Sequence, residues 1–181
     1  MPHINLKNEN PGIIQAMTDY PATAKPLNEL AELLLRTDEG LTRGERELIA
    51  AHVSKLNHCF FCSNCHLNVS LQHHKLAPRL IDPLKDEVTD GIEIRPVVKA
   101  LLNVAGKVQQ SGTMVKEEDI SVAKELGATD RMIHDTVLIA AAFCMYNRYV
   151  DGLATLRPKD QNVYFGIGKM LAENGYLNSI K

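Results

Sequence analysis

Residues 58–66 read HCFFCSNCH, three cysteines and two histidines in nine positions. The chain has only one other cysteine, Cys144. Thiolates are nucleophiles and soft metal ligands, so the cluster admits three readings: a metal site, a redox dithiol, or thiols packed in a core. Winding the segment as a helix at about 100° per residue puts Cys59, Cys62 and His66 within about 60° of one another. Cys65 then points about 100° away from His66. The surface-sharing motif is therefore C-x-x-C-x-x-x-H, and Cys65 is expected to be a packed thiol, as free cysteines often are.

The metal readings are the weaker ones. An iron–sulfur cluster wants a fourth cysteine nearby, whereas Cys144 is remote and sits in an apolar stretch. Structural zinc could combine Cys59, Cys62 and His66 with His58, His73 or His74. Zinc sites usually draw ligand pairs from separate segments, and no second pair is obvious. A redox dithiol is the favoured reading, with no metal and no cofactor expected. Its chemistry needs help: a thiol with an ordinary pKa of about 8.5 is only about 3% ionised at pH 7. Lowering that pKa to about 6 takes roughly 3.4 kcal/mol. A helix N-terminus supplies about 0.3–1 kcal/mol, at best about 2. A base is required, and His66, one turn after Cys62, is placed to be it.

The preceding segment offers that base a partner. Thr42-Arg43-Gly44-Glu45 reads as a capping box opening a helix that runs to about Asn57. Leu48, Ile49, Val53 and Leu56 form its bulky stripe; Glu47, Ala50, Ala51 and Ser54 form the opposite, small one. If the chain reverses at Asn57–His58 into an antiparallel helix pair, with Cys59 near the start of the second helix, Glu47 lies level with residues 66–68. A Glu47–His66–Cys62 relay is then within reach.

Helix signals dominate elsewhere too. Pro11 opens a short helix through Tyr20, and Pro26 opens another that Gly40 closes off. Further helices are expected over 78–87, 96–110, 116–126 and 130–152, with a last one from Pro158 to near Gly175. DGIEIRP (90–96) is too short to carry a sheet. The expected fold class is all-α. His52 reads as a satisfied core histidine and His73-His74 as exposed helix surface. Asn147, Arg148 and Asp151 read as a structural polar network or a subunit contact.

Composition sets the outer bounds. The 181 residues, 45% hydrophobic and 23% charged, are those of an ordinary globular protein with a real core. A net charge of −2 without a basic, aromatic-interleaved patch argues against nucleic acid as partner. The longest apolar run, Val137 to Met145, is far short of the roughly 18 residues a membrane span needs. The polar N-terminus has no apolar run of the signal-peptide kind, so a cytoplasmic location is the default. In a reducing compartment a CxxC is more often catalytic or metal-binding than a structural disulfide. Apolar helical faces exceed what one small core buries, which favours a homo-oligomer.

Glu47, eleven intervening residues, then Cys59-x-x-Cys62-x-x-x-His66 resembles the active-site signature of the AhpD-like alkylhydroperoxidases, within the carboxymuconolactone decarboxylase superfamily. RELIAAHVSKLNHCFFCSNCHLN (46–68) carries most of the likeness, and YNRYVDG (146–152) resembles a second helix of the peroxidase-related branch. The likeness spans about residues 40–155 of what is expected to be a single AhpD-like domain, 1–181. It implies an all-helical subunit assembling into trimers or hexamers. It also implies hydroperoxide reduction, with Cys62 as peroxidatic thiol, Cys59 as resolving thiol, and Glu47 and His66 as proton relay. The electron donor stays open among lipoyl-type, thioredoxin-like and small thiols. In two places the chain departs from the pattern. Phe61 stands where one branch has histidine, and Cys65 is additional. The rival readings are a decarboxylase-type enzyme without redox chemistry, since those members lack the dithiol, and a zinc- or thiol-based sensor.

Overall fold

The computed structural model describes residues 1–177. Among them the chain forms α1 (Ile13–Asp19), α2 (Pro21–Leu35), α3 (Arg43–Leu56), α4 (Phe60–His73), α5 (Pro96–Gln110), α6 (Glu117–Glu125), α7 (Asp130–Gly152) and α8 (Gln161–Asn174). A 3-10 turn, Gly112–Met114, joins α5 to α6, and the described residues contain no strand. The fold class is all-α, as expected. No helix among the described residues is long and apolar enough to cross a membrane.

The helix pair at its centre forms as its sequence dictates. Thr42 Oγ1 accepts from Glu45 N at 3.3 Å and Glu45 Oε2 accepts from Thr42 N at 2.9 Å, closing the capping box of α3. Arg95 fixes the same carboxylate at 2.7 Å. The chain then turns at Asn57–His58, where His58 takes the left-handed conformation at φ 58°. Histidine is one of the few side chains that adopts this region with any frequency. Cys59 follows as the N-cap residue of α4, in extended backbone. The two helices run antiparallel: Ser70 Oγ donates to Gly44 O at 2.8 Å near one end, level with the start of α3.

Around this pair, α7 packs against α3 and α5, and α8 packs on the outer side of α4. The main core is lined by fully buried Leu35, Leu48, Ile49, Leu67, Leu101 and Ile139. A smaller cluster joins Cys59, Phe61, Cys62 and Cys65 to Val150 and Tyr164. Buried Arg46 ties the core's polar seam together. It donates to the carbonyls of Leu34, Leu41 and Glu39 and to Asp135 Oδ2 at 2.7 Å.

Three expectations about elements need correction. Helix α2 starts at Pro21, so Pro26 lies inside it rather than at its start. The Pro26 ring removes one backbone bond, to the carbonyl of Ala22, but both residues are exposed and solvent can serve that carbonyl. Residues 78–87 are not helical. Two buried asparagines of α4 take up the backbone groups of the segment's first part, and a turn at 83–85 follows. Asn64 pairs with both backbone groups of Ile81 (2.7 and 3.1 Å), and Asn68 with both of Arg79 (2.8 and 3.1 Å). The last helix starts at Gln161, not Pro158, because Asp160 caps it through Asn162 N at 2.9 Å.

Candidate active site

Burial and registry bring Glu47, His66 and Cys62 to one place. Glu47 emerges from the small-residue stripe of α3 and is fully buried. Its Oε2 lies 2.8 Å from His66 Nδ1 on α4. The aromatic ring of Phe143 from α7 meets the imidazole edge-on, centroids 4.5 Å apart at 87°. His66, Cys62 and Cys65 all line one largely enclosed cavity of about 70 Å³. Its remaining wall is almost wholly apolar, with Ile13, Met17, Leu27, Phe61, Phe143 and Ile167 among the lining residues.

A residue absent from the sequence reading completes the cluster. Tyr176, just past α8, donates its hydroxyl to Glu47 Oε1 at 2.6 Å and lies 3.3 Å from His66 Nδ1. Each oxygen of the buried carboxylate therefore has a partner, which a charge removed from water requires. This geometry also sets the histidine tautomer. A carboxylate only accepts, and the tyrosine proton is committed to Glu47, so Nδ1 carries the ring proton and Nε2 keeps its lone pair. Burial, and then the Glu47 charge, push the Tyr176 hydroxyl well up, so it remains a donor.

The thiols depart from the helical-wheel expectation at Cys65. It does not face away: it opens on the same cavity as Cys62. Its thiol is pushed well up by burial, and further by the nearby Cys59 and Glu47. Cys59 is more enclosed than Cys62. It is 0% exposed against 4% for Cys62, and it does not line the cavity. The Cys59 thiol is pushed up strongly by its hydrogen bond to Cys62, by burial, and by the proximity of Cys62. All four cysteines are free thiols.

The lesser signals resolve as follows. Asn147 does form a buried polar network, donating to Ser54 Oγ at 3.0 Å and accepting from Asn57 Nδ2 at 2.8 Å. Asp151 instead takes a hydrogen bond from Cys59; burial raises its carboxyl and that bond partly offsets the rise. His73 and His74 are half-buried rather than exposed and pack on Gly44. Among the described residues no three His, Cys, Asp or Glu side chains converge as a metal site would need.

The comparisons with other proteins agree with this architecture. The family model of the carboxymuconolactone decarboxylase family matches residues 21–84, from the start of α2 through α4 into the non-helical segment beyond it. Two crystal structures share the fold, each with a TM-score of 0.71. One is an uncharacterized peroxidase-related protein from Silicibacter sp. TM1040, 23% identical, with 86% of this chain and 79% of that one covered. The other, an alkylhydroperoxidase AhpD core described as an uncharacterized peroxidase-related protein, comes from Ralstonia eutropha JMP134. It is 29% identical, with 88% of this chain and 81% of that one covered. No curated protein matches the chain. The fold is AhpD-like, and residues 21–84 are similar to the carboxymuconolactone decarboxylase family.

Proposed function

We propose that this protein is a thiol-dependent peroxidase that reduces hydroperoxides through Cys62 and Cys59. The observation carrying the reading is the 2.8 Å contact between Glu47 and His66 at the wall of the cavity onto which Cys62 opens. His66, with Nε2 free to accept, takes the Cys62 proton directly or through one water, and buried Glu47 stabilises the resulting imidazolium. The Cys62 thiolate attacks the terminal oxygen of a hydroperoxide. A sulfur–oxygen bond forms, the O–O bond breaks, and the departing alkoxide takes the proton from His66 to leave as an alcohol. Cys62 is now a sulfenic acid.

Cys59, which lies beside Cys62, then attacks that sulfur. A disulfide forms and the hydroxyl leaves with the Cys59 proton as water. An external dithiol returns the pair to its reduced state by exchange, taking the oxidation onto itself. Cys59 stands in the N-cap position with extended backbone, its carbonyl accepting from Ser63 N and its N–H donating to Ser54 O, both at 3.0 Å, so the sulfurs close to bonding distance from the end of the helix rather than from within it. Cys65 has no part in this sequence. The peroxidase-related descriptions of the structural relatives support this reading over decarboxylation without redox chemistry.

Val137, Leu138 and Met145 on α7 and Leu33 on α2 remain exposed, in support of a homo-oligomer. Light scattering at micromolar concentration should return more than the monomer mass; a monomer contradicts this part of the reading.

The activity is tested by thiol titration before and after one equivalent of an organic hydroperoxide, starting from reduced protein. Loss of two thiols, located by mass spectrometry to the Cys59–Cys62 peptide, is the expected result. Unchanged thiols overturn it.

A further inference from the structure

We propose that Tyr176 is a positioning residue of the relay, its hydroxyl holding Glu47 as an oriented carboxylate on His66, and that α2 is what delivers it. The assignment rests on the Glu47–His66–Cys62 reading above. Glu47 has no solvent exposure, so donors from the protein must replace the lost water. His66 supplies one donor, to Oε2, and Tyr176 the other, to Oε1. A carboxylate that loses the hydroxyl is no longer held against Nδ1, stabilises the imidazolium less well, and weakens thiolate formation at Cys62.

The tyrosine also aims the base. Its ring lies nearly parallel to the imidazole, 13° between planes with centroids 6.1 Å apart, while Phe143 meets the imidazole edge-on. With its own proton on Glu47, the hydroxyl oxygen offers a lone pair to Nδ1–H at 3.3 Å. The Nδ1 proton is thereby shared between two acceptors, and the lone pair is kept at Nε2.

Glu32 of α2 and Arg36, its C-cap residue, bring the hydroxyl there. Arg36 donates to the carbonyls of Leu171 (3.1 Å) and Ala172 (2.6 Å), satisfying the C-terminal end of α8. Glu32, 3.7 Å from Arg36, accepts from Tyr176 N at 2.7 Å. Between them Gly175 turns the chain at φ 74°, and a Cβ there would come within 2.5 Å of Glu32 Oε2. Only glycine fits both the turn and the close approach. Among the described residues the ionisable groups facing Glu47 include His66, Cys65 and His73 of α4 and Tyr176 itself, and Arg36 and Cys65 face Tyr176.

The test is the rate of Cys62 alkylation by iodoacetamide against pH, followed by peptide mass mapping, in the wild type, Tyr176→Phe, Glu47→Gln and the double variant. Tyr176→Phe keeps the ring and removes only the hydroxyl. Its acid limb should rise by about one to two pH units, the worth of one charge-assisted hydrogen bond. In the Glu47→Gln background, removing the hydroxyl should move nothing further. A limb that stays put or falls in Tyr176→Phe, or an equal shift that persists without the Glu47 carboxylate, overturns the assignment. Glu32→Ala, which frees the Tyr176 backbone without touching the relay, should give a smaller shift in the same direction; no shift contradicts delivery by α2. Alkylation involves no hydroperoxide. The predicted shift together with no peroxide consumption would therefore uphold Tyr176 and overturn the peroxidase reading.

Discussion

Glu47 Oε2 and His66 Nδ1 lie 2.8 Å apart although nineteen residues separate them. The contact exists because α3 and α4 are antiparallel and in register, and because Ala50, Ala51 and Ser54 on the Glu47 face are all fully buried and small. A carboxylate and an imidazole in a closed, apolar surround interact far more strongly than they would in water.

Glu47→Gln and His66→Ala should each leave the fold intact and slow the ionisation of Cys62. The alkylation rate of Cys62 at pH 7 should fall by about 30-fold in His66→Ala, as the ionised fraction drops from about 90% to about 3%, and by less in Glu47→Gln, where the base survives without its partner. An unchanged alkylation profile in both variants would remove the relay.

Asp135 should control both neutral-pH and acid stability. Burial alone would raise its carboxyl, but hydrogen bonds from His134, Arg46 and Arg131 outweigh that and hold it below the usual range. A carboxyl that is lower when folded contributes stability above its unfolded value of about 4, and loses it as pH falls through the folded value. Asp135→Asn leaves Arg46 buried without its counter-charge, a change that costs about 3–5 kcal/mol at neutral pH. The variant should also lose less further stability below about pH 4 than the wild type. Urea unfolding at pH 7 and at pH 3 reads both effects.

Gly168→Ala should destabilise, against the usual helical preference for alanine by about 1 kcal/mol. The added Cβ would stand 2.6 Å from Asn68 Cβ and 2.9 Å from its carbonyl carbon, where α8 crosses α4. Forcing those helices apart should cost about 1–3 kcal/mol and disturb the Asn68 bonds to Arg79. A thermal midpoint at or above the wild-type value would contradict this packing.

Much of the site was legible because its signals are local. The capping box at Thr42, the bulky and small stripes of α3, and the Cys59-x-x-Cys62-x-x-x-His66 spacing are all short-range patterns. A single assumption, reversal at Asn57–His58, joined them. What stayed hidden depends on distant segments. Tyr176 reaches Glu47 from the far end of the chain, and nothing in its neighbours announces a buried hydroxyl. Residues 78–87 have a helix-like apolar pattern, yet Asn64 and Asn68 supply hydrogen bonds that make the non-helical form the better one. Cys65 was judged on a helical wheel. The cavity is wide enough around α4 to include it.

The division of labour between the motif cysteines tests the central claim most directly. The measurement is single-turnover consumption of an organic hydroperoxide by Cys62→Ser, Cys59→Ser and Cys65→Ser, with dimedone trapping and peptide mass mapping. Cys62→Ser should consume no peroxide. Cys59→Ser should consume one equivalent and stop at a sulfenic acid trapped on Cys62, and Cys65→Ser should form the Cys59–Cys62 disulfide at nearly the normal rate. Peroxide consumption by Cys62→Ser, or a Cys62–Cys65 disulfide with Cys59 dispensable, would contradict the account.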